Sequence, residues 1–304
     1  MRYRELDLNL LMSLDRLIRL RSVSRAADEM AVTQSAMSNM LARLRDYFDD
    51  PLLIQVGRQM EPTARALHLA EPISDIHVRI EATVRGQSEH DPSKSTRSFT
   101  MMVSDYSLVT VIPKLVQRVA QQAPQVKLNF TPQVIQPAIQ VEQGGADLVI
   151  APGLYCSNDH PSEKLIVDPL VCVLDRDNPL VWSLDVESLA QAEHVMMQPP
   201  GDGESYSLTA LTKAGITVDT AIRSYSFASL PGLVRGTNRI AVVQSQLARA
   251  MATGDRLVIV PVPVALEPLE QHLLWHKLRG PDPGIQWLRA QVIEAARALM
   301  AETG

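Results

Sequence analysis

Ser35, Ser38 and Asn39 place two hydroxyls and one amide along a stretch that also carries Met37, Leu41 and Leu44. At 100° per residue the three apolar side chains fall together as a core-facing stripe, and the polar three fall on the opposite face with Ala42. Short polar side chains on a helix suit one role above others. The backbone can sink into the major groove of a duplex, where hydroxyls and amides meet the base edges. Periodicity alone also allows an ordinary αα-hairpin in a helical domain.

Groupings that would carry catalysis are missing. The chain has no G-x-S-x-G elbow, no G-x-x-x-x-G-K phosphate loop, no G-x-G-x-x-G after a strand and no H-E-x-x-H. Cys156 with His160 and His272 with His276 are the close pairs of metal-ligand type. Structural zinc usually takes four protein ligands and catalytic zinc three, so no metal, cofactor or catalytic residue is expected. The two cysteines, Cys156 and Cys172, read as reduced core residues.

The elements that must hold Ser38 and Asn39 follow from their neighbours. A shorter helix from Arg25 to Met30 precedes them, with Ala26 and Ala27 allowing close approach, Ser24 as its N-cap and Thr33 capping the next helix. This is a helix-turn-helix. After it, PLLIQVGRQMEPT reads as a strand, a turn at Gly57 with Arg58 on the tip, and a return strand closing at Pro62. Such a wing can carry its basic tip to phosphates or into the minor groove.

A net charge of −5 over 304 residues looks wrong for a DNA binder until the chain is divided. Residues 1–65 hold ten Arg and nine Asp or Glu, a balance of +1, which leaves −6 for the remainder. With so weak a field, specificity must rest on the placement of Arg43, Arg45 and Arg58 and on doubling of the site by a second copy. The N-terminus shows no signal-peptide pattern and no run reaches ~18 apolar residues, so the expected protein is cytoplasmic, with no membrane partner.

From about Ala64 to Arg85 runs a long helix in which Leu69, Ile73, Ile76, Ile80 and Thr83 alternate steps of four and three, the seam of a coiled coil interrupted by Pro72. The seam fits pairing with a second copy; packing on the chain's own body is the other reading. Residues 86–96, GQSEHDPSKST, lose periodicity and read as a hinge. The body then alternates strands and helices in βαβ rhythm. Its first set begins at SFTMMVS, its second at LVCVLD, and LEQHLLWHKL with the helix from Gly284 to Met300 returns to the first.

The expected fold class is therefore α+β in two parts: a winged helix-turn-helix over 1–62, a linker helix over 63–85, the hinge, and a two-lobed α/β body over 97–304. Lobe I takes about 97–165 and 267–304, lobe II about 166–266. Ligands of open α/β sheets settle beyond the strand ends, where loops and helix N-termini converge. That rule selects Ser104, Tyr106, Ser107, Thr110, Gly153, Asp202, Glu204, Ser226 and Phe227, with His276 as a further candidate. A cap or turn role is the competing reading for each. These loops offer hydroxyls, two carboxylates and an aromatic wall but no Arg or Lys. The matching ligand is a neutral or weakly acidic hydroxylated aromatic, with Glu204 accepting from its hydroxyl and Phe227 on its ring.

In ELDLNLL, SRAADEMAVTQSAMSNMLARLR, MEPTARALHLAEPI and LLWHKLRGPDPGIQWLR the chain resembles the LysR-type transcriptional regulators, and more closely the branch that contains the NodD-like and aromatic-responsive regulators. The likeness spans essentially the whole sequence. It implies that Gln34, Ser35, Ser38 and Asn39 touch base edges or nearby phosphates, with Ser24, Arg25 and Thr33 beside them and Arg58 serving the wing. Gln55 departs from the basic residue and Arg65 from the small one that relatives often carry there. The resemblance also implies a periplasmic-binding-protein-like (type 2) effector body, double-stranded DNA with an imperfect dyad operator, a small-molecule effector, RNA polymerase contact, and a homodimer or homotetramer. A constitutive repressor with a vestigial pocket is the alternative function.

Overall fold

The computed structural model describes residues 6–57, 59–85, 90–133, 137–142, 144–199, 205–252, 254 and 256–302. The chain divides into two compact units, Met1–Ser88 with Glu142–Gly145, and Glu89–Val141 with Ala146–Gly304.

The first unit is built on helices α1 (Leu8–Leu20), α2 (Val23–Glu29) and α3 (Gln34–Phe48), strands β1 (Leu53–Val56) and β2 (Gln59–Pro62), and helix α4 (Ala64–Arg85). Leu10, Leu14 and Leu17 of α1 meet Met37, Leu41 and Leu44 of α3 in one buried core. Ala26 and Ala27, essentially without exposed surface, let α2 lie against both. Each fully buried Leu or Met there contributes about 1.5–3 kcal/mol. The N-cap of α2 is Ser22, whose backbone is extended and whose hydroxyl accepts from the Arg25 N–H. Ser24 is therefore inside the helix, a correction of two residues: the helix starts earlier because Val23 continues the apolar face of the first unit.

The α4 helix spans the expected range with Pro72 inside it. Its apolar seam, however, divides. Ala66 and Ile73 are buried in the same core as α1, Leu69 packs on it, and Ile76 remains 40% exposed. The Thr83 side chain lies outside the described residues.

The second unit holds two five-stranded sheets. The chain first lays down β3 (Ser98–Val103), α5 (Asp105–Val109), α6 (Val111–Gln122), β4 (Lys127–Pro132), α7 (Pro137–Glu142), β5 (Leu148–Pro152) and β6 (Ser162–Asp168). It then builds β7 (Leu170–Asp175), α8 (Val186–Gln191), β8 (Glu193–Met197), α9 (Tyr206–Lys213), β9 (Asp219–Ser224), α10 (Leu230–Leu233), β10 (Ile240–Gln244), α11 (Ser245–Met251) and β11 (Leu257–Pro261). Last come β12 (Leu269–Leu274) and α12 (Pro283–Ala301).

Lobe I has strand order β4-β3-β5-β12-β6 and lobe II β11-β7-β10-β8-β9. The returning strand β12 lies antiparallel between β5 and β6, with Leu269 opposite Asp168. Residues 166–168 thus belong to the first sheet, and the crossing falls at Pro169, three residues later than the sequence pattern places it. Leu115 and Val119 of α6 and Ile285, Leu288, Val292 and Leu299 of α12 close the lobe I core over that sheet. The stretch SLVTVIPKLVQRVAQQ forms two helices, α5 and α6, broken where Thr110 turns to φ −105° and ψ −80°.

Candidate functional site

Two surfaces have the make-up of binding sites, one in each unit. In the first, Thr33 caps α3 by accepting from the Ala36 N–H, and the helix then turns Met37, Leu41 and Leu44 inward. Gln34, Ser35, Ser38, Asn39 and Ala42 are all exposed on the remaining surface. Their hydroxyls and amides stand on a rigid helix whose apolar face is locked in the core, which is the condition for reading base edges.

Arg25 is exposed and donates to the Leu20 carbonyl. Arg43 is exposed beside Asp7 at 3.5 Å. Arg45 is engaged within the fold, where its Nε donates to the Pro51 carbonyl at 2.8 Å and its Nη2 to the Leu53 carbonyl at 2.9 Å. It fastens the base of the wing. Asp50 helps from the other side, accepting from the Leu52 N–H and from the Thr63 hydroxyl, each at 2.7 Å. Those donors, Thr63 foremost, hold its carboxyl below the usual range. In the wing itself Val56 pairs with Gln59 across a turn where Gly57 sits at φ +63°, a left-handed conformation that glycine adopts without strain. Arg58 lies outside the described residues.

The second surface is a 420 Å³ cleft between the lobes, walled by Phe130, Tyr225 and Phe227 with Ser104, Asp105 and Ser226. Ser104 caps α5, accepting from the Ser107 N–H at 3.4 Å. Asp105, which sequence reasoning passes over, accepts from the Ser226 hydroxyl at 2.7 Å and from the Ala228 N–H at 3.1 Å, tying lobe I to lobe II across the cleft mouth. No Lys or Arg lines this cleft among the described residues. An acidic first-turn residue reads from sequence as a helix-dipole partner, and a bond to a residue 121 positions away leaves no local signal.

Of the other expected ligand contacts, several take structural duties instead. Tyr106 is buried and donates to Asp168 at 2.8 Å, and Thr110 is buried with its hydroxyl on the Tyr106 carbonyl. Ser107 has no exposed surface. His276 is fully buried, caps a 3-10 turn by accepting from the Leu278 N–H, and stacks 4.8 Å from His160. These four are core positions in this structure, because α5 and the chain after β12 turn inward where the sequence rule assumes an open strand end. Gly153 lines a separate 730 Å³ hollow with Tyr155, Tyr206 and Lys213, and a Cβ there would come within 2.9 Å of the His272 ring. Asp202 and Glu204 lie outside the described residues.

Asp168 is a fully buried carboxylate held by donors from three residues. It accepts from Tyr106, from the Ser245 hydroxyl at 2.6 Å and from the Gln246 N–H. Burial outweighs these donors and raises its proton affinity, while the Tyr106 phenol is pushed far up by the same burial and by the neighbouring carboxylate. Cys172 is buried in the lobe II core, its thiol pushed up to about 12 by burial, and Cys156 is raised likewise. Among the described residues no three His, Cys, Asp or Glu side chains come together as a metal site, and no helix is long and apolar enough to cross a membrane.

In comparison with known proteins, each surface lies within a stretch matched by a family model. Residues 8–67 match the model for the bacterial regulatory helix-turn-helix protein of the lysR family, and residues 93–297 match the LysR substrate binding domain. The sequence is 32% identical over 308 aligned positions to nodulation protein D 2 of Rhizobium leguminosarum bv. phaseoli, covering 99% of this chain and 95% of the relative. Nodulation protein D 1 of Rhizobium meliloti is 33% identical, with 97% of each chain covered. A crystal structure of a probable transcriptional regulator from Pseudomonas aeruginosa superposes with a TM-score of 0.65 at 26% identity, covering 95% of this chain and 97% of that one.

Proposed function

The chain belongs to the LysR family of bacterial helix-turn-helix regulators, and we propose that the exposed face of α3 reads its operator while the Asp105 cleft takes its effector. It is a DNA-binding transcriptional regulator that binds duplex DNA and a small molecule and assembles as an oligomer. The alternative of a constitutive repressor is not favoured, since the substrate-binding family model spans residues 93–297.

Ser38 and Asn39 contact bases, Gln34 and Ser35 contact bases or phosphates, and Ser24, Arg25, Thr33, Arg43 and Arg58 serve the DNA backbone. The effector is a neutral hydroxylated aromatic. One observation carries this reading: aromatic walls surround a carboxylate, with no cation lining the cleft among the described residues to meet an anionic ligand. Asp105 accepts from the ligand hydroxyl in exchange for Ser226, and the change of lobe arrangement shifts the population of DNA-binding states. The working assembly is a dimer of dimers on an imperfect dyad, located in the cytosol with the chromosome and in contact with RNA polymerase, and no catalytic role is assigned.

Calorimetric titration of the full chain with a phenol and with the matching benzoic acid tests the effector reading. The phenol binds more tightly, and Asp105→Asn weakens it at least several-fold. Tighter binding of the acid, or an unchanged phenol affinity in Asp105→Asn, overturns it.

A further inference from the structure

Between the α1–α2 turn, the start of α3 and strand β2 lies a 620 Å³ notch lined by Arg21, Ser22, Ser24, Arg25, Gln34 and Gln59, among others, with no carboxylate in its lining among the described residues. Gln34 opens the helix whose face carries Ser38 and Asn39. When such a helix enters a major groove, the strand bordering the groove runs past the helix start and the element before it. The notch therefore has the sign and the location of a phosphate seat.

Arg21 is the C-cap of α1, its N–H bonded to the Leu17 carbonyl at 2.9 Å. It ends α1 in the left-handed region at φ 49° and ψ 32°, a cap position that favours glycine. Its guanidinium is half exposed and pairs with Glu61 of β2 at 2.7 Å, itself one-third exposed. Exposed pairs of this kind return little stability. A carboxylate on an arginine fork has the same planar acceptor geometry as a phosphate, so Glu61 holds the place of an anion.

We propose that the notch seats a backbone phosphate of duplex DNA and that Arg21 binds it by exchanging Glu61 for the phosphate. The proposal rests on the DNA-binding reading above. Arg25, braced on the Leu20 carbonyl, forms the second side of the seat. The exchange gives each bound DNA strand a fixed register against α3 without a strong net field, in a segment whose charge balance is only +1 over residues 1–65, ten Arg against nine acids.

The test uses the full chain and a short mixed-sequence duplex, with binding followed by fluorescence anisotropy across a salt series. Arg21→Gly relieves the left-handed backbone, so it holds or raises the melting temperature while reducing the salt slope by about one and weakening binding. Glu61→Gln tightens binding about two- to fivefold, the worth of an exposed pair, and the gain disappears in the Arg21→Gly background. Arg297→Ala, which removes a charge from α12, leaves the slope unchanged. An unaltered slope in Arg21→Gly overturns the proposal, as does a Glu61→Gln gain that survives without Arg21. If the wild type itself shows no salt-dependent binding, the DNA-binding reading falls and this proposal with it.

Discussion

Tyr106, 1% exposed, donates its hydroxyl to Asp168 at 2.8 Å, joining the first helix of lobe I to the strand end where the chain crosses into lobe II. Ser245 and Gln246 at the start of α11 hold the other edge of the same carboxylate. One buried acid thus fixes three elements at the crossing.

Removing only the phenol oxygen, Tyr106→Phe, leaves a buried carboxylate short of a donor and costs about 1.5–3 kcal/mol. Burial raises the Asp168 proton affinity above its ordinary value of 3.8. The protonated form is therefore favoured in the folded state, and the stability linked to this group is full below 3.8 and is lost as pH rises through the folded value. Since Tyr106 supports the charged form, the deficit of the variant widens as pH rises through that window. Urea unfolding of both proteins over a pH series measures it, and a constant gap disproves the assignment.

Asn39→Ala removes an exposed amide from α3 without touching its buried face. Operator binding weakens by about 1–3 kcal/mol and discrimination is lost at one base position. Binding to a panel of single-base operator variants reads this; an unchanged preference at every position excludes Asn39 as a base contact.

Ile73 and Ile76 separate two jobs of α4. Ile73→Ala opens the core shared with α1 and lowers the stability of the winged unit by about 2–5 kcal/mol. Ile76 is 40% exposed in the single chain, and we propose that it contributes to the contact between copies. Ile76→Asp therefore leaves the melting transition in place and dissociates the oligomer in sedimentation; an intact oligomer would show that the seam runs elsewhere.

Arg45→Ala takes away both bonds to the wing base, worth about 0.5–1.5 kcal/mol each. Amide hydrogen exchange across β1 quickens, and DNA affinity falls for all sequences alike. A selective loss at one base pair would instead return Arg45 to the reading surface.

Much of this is legible in the sequence because it is periodic or local. The α3 stripe of Met37, Leu41 and Leu44, the Thr33 cap, the bounds of α4 and the two strand sets all leave short-range patterns. Helix α1 shows in the sequence only as a motif, although its leucines supply much of the winged core. The cleft is harder. The sequence rule finds its loops through Ser104, Ser226 and Phe227 but also selects Tyr106, Thr110 and His276, whose inward turn depends on bonds formed across the fold. Asp105, Phe130 and Tyr225 reach the cleft by the meeting of two lobes distant in sequence.

Asp168 and Leu269 face each other on neighbouring antiparallel strands, so the exit from lobe I and the return to it are only about 5 Å apart. Everything between those two residues is in effect a cassette with its ends side by side. Such a segment can be exchanged between related proteins provided the newcomer keeps the Ser245 and Gln246 donors that hold Asp168. Recombination at this one seam would renew half of the effector cleft, the half bearing Tyr225, Ser226 and Phe227, and with it the partners of Asp105, while keeping Asp105 itself in place.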